Sequence, residues 1–369
     1  MIYYRFLFLL LYLPITIYFY FFLKRITIFL FKKYSKSILV RILLIILVSI
    51  IAILCSNPFG VWIVVFSHLF ICSVFCDLVM LILKKYNKLY SKLSMLYNIG
   101  IIPITIVIFI LIFAYWNMNN VIVNTYDIFT LKEIEDEYKI VFLSDMHFET
   151  TINEKKLTKY VNEISTLNAD IVILGGDIVD ENTSKEGIAN AFKILGNINS
   201  KYGVFFIYGN HDKTKYYSNK KYTDDEIQTI IENSGIVILA DETYEVNNEL
   251  ILIGRDDLVF PKQKERKKSS ELLENLDKNK FLLIVDHHPY DLKINSQLGY
   301  DLQLSGHTHG GQIFPTGYFT TLFNNNSLNY GYKKINNFQV IVSSGIGGWE
   351  YPFRTGSNSE YLIVNIKKN

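Results

Sequence analysis

Acid is almost absent from the first third of this 369-residue chain. Up to Trp116 the only carboxylate is Asp77, against eleven basic residues, so this stretch carries a charge near +10. The remainder holds 26 basic and 34 acidic residues and lies near −8, an asymmetry that the overall charge of +2 conceals. Cysteine is scarce too. Cys55, Cys72 and Cys76 all precede Trp116, which excludes an internal disulfide from the rest of the chain. This part is acidic on balance, so nucleic acid is not expected as a partner. The length suggests two domains, and the charge places a boundary between two solvents near Trp116.

What the first third does have is apolar length. Four stretches, roughly 2–23, 38–55, 59–83 and 100–116, are candidate membrane spans, because a helix needs roughly 20 residues to cross about 30 Å of hydrocarbon. The first lacks both a basic leading region and a small-residue cleavage site, so it reads as a retained span and not a signal peptide. The loop after the first span carries Lys24, Arg25, Lys32, Lys33 and Lys36, and the loop after the third carries Lys84, Lys85, Lys88 and Lys92. Ser56 to Pro58 is uncharged, and the first basic residue after Trp116 is Lys132. Positive loops stay in the cytoplasm, so the amino terminus and everything after Trp116 are expected outside. Within the third span His68 and Asp77 fall on opposite helix faces. They are not expected to form one site, and Asp77 is placed to pair with Lys84 or Lys85.

Residues 117–137, polar and acidic, read as a linker that lifts the following domain off the membrane. From 138 to 369 the pattern becomes layered α/β. KIVFLS, DIVILGG, GVFFIYG, GIVILA, ELILIG, FLLIVD, LQLSG, QVIVSS and EYLIVNI are strand candidates, several of them apolar without alternation, as for strands covered on both faces. Leu157, Val161, Ile164 and Leu167 recur at helical spacing, as do Ile188, Ala191, Phe192 and Leu195. Thr223 with Glu226 forms a candidate capping box, and Gly235 a stop.

Six of the seven histidines lie where an apolar run ends: His147, His211, His287, His288, His307 and His309. Each has a neighbouring oxygen or nitrogen ligand: Asp145 with His147, Asp177 and Asp180 in GGDIVD, Asn210 and Asp212 around His211, and Asp286 before His287. SDMH, GGD, YGNHD, DHH and SGHTH each follow a strand candidate directly. In α/β sheets, sites gather beyond the carboxyl ends of strands, so five loops can converge on one metal-binding pocket.

Asp145-x-His147, Gly176-Asp177-x-x-Asp180, Gly209-Asn210-His211-Asp212, His287 and Gly306-His307-x-His309, in this order, resemble the calcineurin-like metallophosphoesterase superfamily over roughly residues 138 to 369. DHHPYDL, GHTHGGQI, and SSGIGG followed by PFR look like its membrane-anchored or exported branch related to YkuE and YaeI. The resemblance implies a four-layer αββα sandwich, here preceded by an all-α bundle of four transmembrane helices. It also implies two divalent ions, with Mn, Fe and Zn all suited to such mixed ligands. One ion would be held by Asp145, His147, Asp177 and His309. The other would be held by Asp177, Asn210, His287 and His307, with Asn210 also facing substrate. His211 would protonate the leaving group, and Asp180 would hydrogen-bond His211 and fix its tautomer. His288 stands beside His287, so either could be the ligand; the family's His before x-Pro aligns with His287. Relatives in this branch often carry arginine where Ser344 stands. Arg354 is a candidate phosphate contact or, equally, a salt-bridge residue.

The expected function is that of a membrane-anchored phosphohydrolase in which a hydroxide shared by two metals attacks phosphorus. Its substrate would be a phosphodiester, pyrophosphate or phosphomonoester borne by a lipid or cell-envelope component. The alternatives are a transporter or sensor with an accessory phosphoesterase domain, or a metal-binding domain without turnover.

Overall fold

The structure is a computed structural model in which residues 2–57, 60–135, 137–213, 222–257, 266–323 and 328–369 are described. It divides into two compact units, Met1–Tyr115 and Trp116–Asn369.

The first unit is helical: α1 (Ile2–Leu30), α2 (Ile38–Cys55), α3 (Val61–Leu83), α4 (Asn87–Asn98) and α5 (Ile101–Asn119), whose last turn belongs to the second unit. Four helices are long and apolar enough to cross a membrane, over Tyr12–Leu30, Ile38–Cys55, Val61–Leu83 and Ile101–Asn119. Pro58 and Phe59, where the uncharged loop ends and the third span was expected to begin, lie outside the described residues. The lysine-bearing connection after α3 is not a plain loop, because α4 forms there without a buried residue. Asp77 also finds other partners than expected: it accepts hydrogen bonds from Arg25 (2.6 Å), Tyr18 (2.6 Å) and Tyr97 (2.8 Å), on α1 and α4 and not from Lys84 or Lys85. His68 is buried and donates from Nδ1 to the Val64 carbonyl, one turn back.

The second unit runs β1 (Ile122–Thr130), β2 (Tyr138–Leu143), α6 (Glu154–Ser165), β3 (Ile171–Leu174), α7 (Lys185–Leu195), β4 (Val204–Phe206), α8 (Asp224–Asn233), β5 (Val237–Ile238), β6 (Glu242–Glu245) and β7 (Leu250–Gly254). It continues through β8 (Phe281–Val285), α9 (Leu292–Leu298), β9 (Leu302–Ser305), α10 (Thr316–Phe323), β10 (Gly331–Ile335), β11 (Phe338–Val342) and β12 (Glu360–Lys368). Two six-stranded mixed sheets result, in the orders β1-β12-β2-β3-β4-β5 and β10-β11-β9-β8-β7-β6.

Successive side chains of a strand point to opposite faces, and both faces here are covered. On β2, Val141 and Leu143 pack with α6 and α7 residues such as Leu157, Ile164, Ala191 and Phe192, while Ile140 and Phe142 pack between the sheets. Leu252, Leu283 and Ile341 come from the second sheet to meet them. The outer face of that sheet buries Ile253, Ile284 and Val340 under Leu292 of α9. The order is therefore helix, sheet, sheet, helix, and it explains the unbroken apolar runs. The expected capping box of α8 forms between Thr223 and Glu226.

Residues 117–137 are not a free linker. β1 pairs in parallel with β12 along its whole length, from Ile122 opposite Glu360 to Thr130 opposite Lys368. At the sheet edge only Ile128 and Thr130 are buried, and exposed residues alternate with half-buried ones before them, so the stretch reads as a connection. The last turn of α5 is also built in. Asn117 Nδ2 donates to the carbonyls of Arg354 (3.0 Å) and Ser357 (2.7 Å), and Ser359 donates to the Met118 carbonyl.

Candidate active site

The five ligand-bearing loops, four of them with histidine, all leave the carboxyl ends of strands, and most do so through strained backbone. Asp145 (φ 53°), His147 (45°), Asp177 (53°), His307 (71°) and His309 (50°) adopt the left-handed region, which costs a non-glycine residue about 1–3 kcal/mol. Such kinks turn side chains off the strand axis and back over the sheet end. Glycines make the approach possible. A Cβ on Gly176, at φ +88°, would stand 2.7 Å from His287 Nδ1, and one on Gly306 would stand 2.3 Å from an Asp145 carboxylate oxygen.

Two groups of ligand atoms result, Asp145 with His147 and His309, and Asp177 with His287 and His307, each mutually within 4.8 Å. They meet at Asp177, whose Oδ2 lies 3.0 Å from His287 Nε2 and 4.0 Å from His147 Nε2. In the first group His147 and His309 bring their Nε2 atoms to 3.3 Å, and His309 Nε2 lies 3.5 Å from Asp145 Oδ1. Asn210 and His211 are buried alongside.

Surrounding groups hold these side chains by their far ends. His147 Nδ1 donates to Asp180 (3.2 Å), which also accepts from Thr150. His287 Nδ1 donates to the Gly175 carbonyl (2.8 Å). Both rings thereby keep Nε2 lone pairs for the interior of the site. The Asp177 Oδ1 atom accepts from the His211 amide (2.8 Å), leaving Oδ2 turned inward. Asp212 gathers the GGDIV turn by accepting from the amides of Asp177, Ile178, Val179 and Gly209 at 2.7–3.1 Å. Burial and the adjacent Asp177 charge push its carboxyl up to about 7.

This donor set suits two divalent cations. Burial, reinforced by neighbouring imidazoles, holds His307 and His309 well below the usual histidine range, so both are neutral and present lone pairs. The carboxylates of Asp145 and Asp177 are fully buried and face imidazoles at the meeting point of the two groups. Burying charge in this way is costly unless a cation balances it.

Three sequence expectations meet different outcomes. His287 reaches Asp177, while His288 turns away and donates from Nε2 to Asp257 (2.9 Å). Asp180 does not pair with His211. It binds His147, and His211 Nδ1 faces Glu181 at 2.9 Å. Burial alone would lower His211, but Asp177 and Glu181 more than offset it and raise the ring to about 9. Arg354 is no free phosphate contact. It is wholly buried, and its NH1 and NH2 groups donate to the carbonyls of His309, Asn358, Ser344 and Gly347 and to Ser357 Oγ. It braces the His309 loop from behind, because a guanidinium presents a fixed fork of donors and backbone carbonyls occupy it here. Asp286 pairs with Arg266 (3.0 Å) and supports the loop.

Sequence reasoning passed over Glu181 and Trp349. The indole lies 5.4 Å from the His211 ring, centre to centre. Glu181 directly follows Asp180, and only a three-dimensional register tells which of two adjacent carboxylates meets which imidazole.

The calcineurin-like phosphoesterase family profile matches residues 138–311. A metallophosphoesterase of Aquifex aeolicus, described as uncharacterized, is 32% identical over 234 residues, covering 63% of this chain and 85% of its own. Another, Cj0846 of Campylobacter jejuni, is 26% identical over 301 residues, covering 79% and 76%. A zebrafish protein, named as a transmembrane protein with metallophosphoesterase domain, is 27% identical over 248 residues, covering 64% of this chain and 55% of its own length. The chain belongs to the calcineurin-like metallophosphoesterases. Its second unit is a metal-dependent phosphoesterase domain, and it carries in addition four helices of membrane-spanning length and composition.

Proposed function

We propose that this protein is a membrane-anchored two-metal phosphohydrolase acting on a phosphodiester, pyrophosphate or phosphomonoester of a lipid or cell-envelope component. The observation that carries the proposal is the meeting of the two ligand groups at the inward oxygen of Asp177. Asp145, His147, Asp177 and His309 hold one cation, and Asp177, Asn210, His287 and His307 the other. Bound there, two divalent cations supply Lewis acidity, activating water near neutral pH and neutralising charge on the phosphoryl oxygens.

The chain's own residues do the rest. His211, held by Glu181, is the proton donor to the departing alkoxide; a cationic imidazole beside a carboxylate suits that role. Asp180 orients His147, and Arg354 with Asp212 fixes the two loops that carry His309 and Asp177. The four apolar helices make this a membrane protein. Lys32, Lys33 and Lys36 between the first two spans, and Lys84, Lys85, Lys88 and Lys92 between the third and fourth, support an extracytoplasmic side for the amino terminus and the second unit, since positive connections stay in the cytoplasm. A tethered site of this kind meets substrates presented at the membrane surface, which supports the lipid or envelope class.

The test uses the full chain in lipid nanodiscs, stripped of metal and reloaded with Mn, Zn, Fe or Mg, with bis-nitrophenyl phosphate, nitrophenyl phosphate and a pyrophosphate-linked lipid as substrates. Metal-dependent turnover that His211→Ala loses while retaining two ions is expected. Two bound ions without turnover of any substrate would reject the hydrolase and leave a binding domain. Protection of a carboxyl-terminal tag from external protease in intact cells would reject the extracytoplasmic placement.

A further inference from the structure

The segment just beyond the two histidines of the GHTHGGQ stretch carries an exposed apolar surface. α10 has the sequence TGYFTTLF, without a charge. Tyr318, Phe319 and Leu322 fall within about 100° of its circumference by helical spacing, and they are 74, 55 and 68% exposed. Phe314, just before the helix, stacks edge-on to Tyr318 at 5.9 Å. A soluble surface rarely shows three or four large apolar side chains together.

This surface is built onto the site. A Cβ on Gly311 would stand 2.3 Å from Gly317 Cα, so the first turn of α10 touches the loop that leaves His309. Thr308, between the two histidines, donates to the Asn329 carbonyl (2.6 Å) and closes the far end of the segment. The amide of Phe314 donates to Thr355, and Gly356 lies against the Gly311 carbonyl. The same 354–359 loop holds Asn117, in the last turn of α5, through the Arg354 and Ser357 carbonyls. Met118 of that turn lies against Gly348. The root of α10 and the end of the fourth membrane-length helix thus grip one loop, the one that braces His309.

We infer that the exposed face of α10, with Phe314, docks into the interfacial layer of the bilayer and brings the metal-ligand loop to lipid-borne phosphate. The inference rests on the membrane reading of the first unit and deepens the proposed substrate class. The bilayer is favoured over a protein partner by three observations. The face is uncharged, its aromatic and leucine side chains suit the headgroup–acyl boundary, and the loop beneath it is bonded to the end of a candidate span, which keeps lipid at high effective concentration.

Depth-dependent quenching in the full chain tests it. A fluorophore is placed at Leu322→Cys, at Lys334→Cys on the exposed side of β10, or at Phe109→Cys in α5, with Cys55, Cys72 and Cys76 changed to alanine. Vesicles contain phosphatidylglycerol, phosphatidylcholine and an acyl-chain nitroxide lipid. Position 322 is expected to be quenched by the nitroxide and protected from aqueous iodide, with 109 quenched by nitroxide and 334 by iodide. Position 322 open to iodide, or shielded from both quenchers as under a second copy or another protein, overturns the docking while 109 upholds the membrane reading. An unquenched 109 overturns both.

Discussion

The two units each surround carboxylates with apolar structure, and they treat them oppositely. In the helical unit Asp77 receives a guanidinium and two phenols at 2.6–2.8 Å, and Arg25 lies 4.0 Å from the Tyr97 ring centre. That charge is balanced from within the chain, and the cluster fastens α1, α3 and α4 together. In the catalytic unit Asp145 and Asp177 meet imidazoles, two of them held neutral, while the nearby buried Arg354 spends its NH1 and NH2 donors on carbonyls and on Ser357. A buried acid with a fixed cationic partner is a fastening. One that faces a ring of imidazoles aimed at it is a place for metal ions.

Asp177→Asn should break this contrast most severely. Loss of both ions, with turnover falling beyond the ~10–100-fold typical of outer-shell changes, is expected when metal content and kcat are measured together; unchanged values would refute the bridging assignment. His211→Ala should keep the metals and lose roughly 10²–10⁴-fold in rate, most for poor leaving groups, as a leaving-group series would show. Glu181→Gln should produce a smaller loss of the same kind, and a lost metal instead would make either residue a ligand. Arg354→Gln should act through the fold. Removing charge-assisted hydrogen bonds worth about 1.5–3 kcal/mol each should lower the Tm and metal affinity, whereas a rise in KM with an unaltered Tm would restore the phosphate-contact role. The smallest effect is expected from Asp77→Asn. Interhelical hydrogen bonds in membranes average on the order of 0.6 kcal/mol, so thermal stability should dip slightly with metal content and hydrolysis unchanged.

Much of the fold was legible because strand signals are local. All nine strand candidates appear as β2, β3, β4, β5, β7, β8, β9, β11 and β12, since apolar runs bounded by Gly, Asn or Asp need no distant partner to be recognised. The strands that escaped, β1, β6 and β10, are half-exposed or exposed edge segments without a continuous buried apolar run. Residues 122–130 become a strand only because β12, more than two hundred residues away, supplies the parallel partner. The short α4 and α10 escaped for a related reason: neither buries an apolar stripe in a core.

The sequence by itself determined which residues could hold metal, because imidazoles and carboxylates at the ends of apolar runs are a matter of spacing along one strand and its loop. It determined the two solvents as well, through the abrupt change in acid content at Trp116. Only the tertiary structure decided the partnerships: Asp180 with His147, Glu181 with His211, His287 and not His288 at Asp177, and Arg354 behind His309. Most of those contacts join strands and loops 30 to more than 100 residues apart. Their identity depends on which strand lies beside which and on backbone kinks of a few residues, and a shift of one position there exchanges one carboxylate or imidazole for its neighbour.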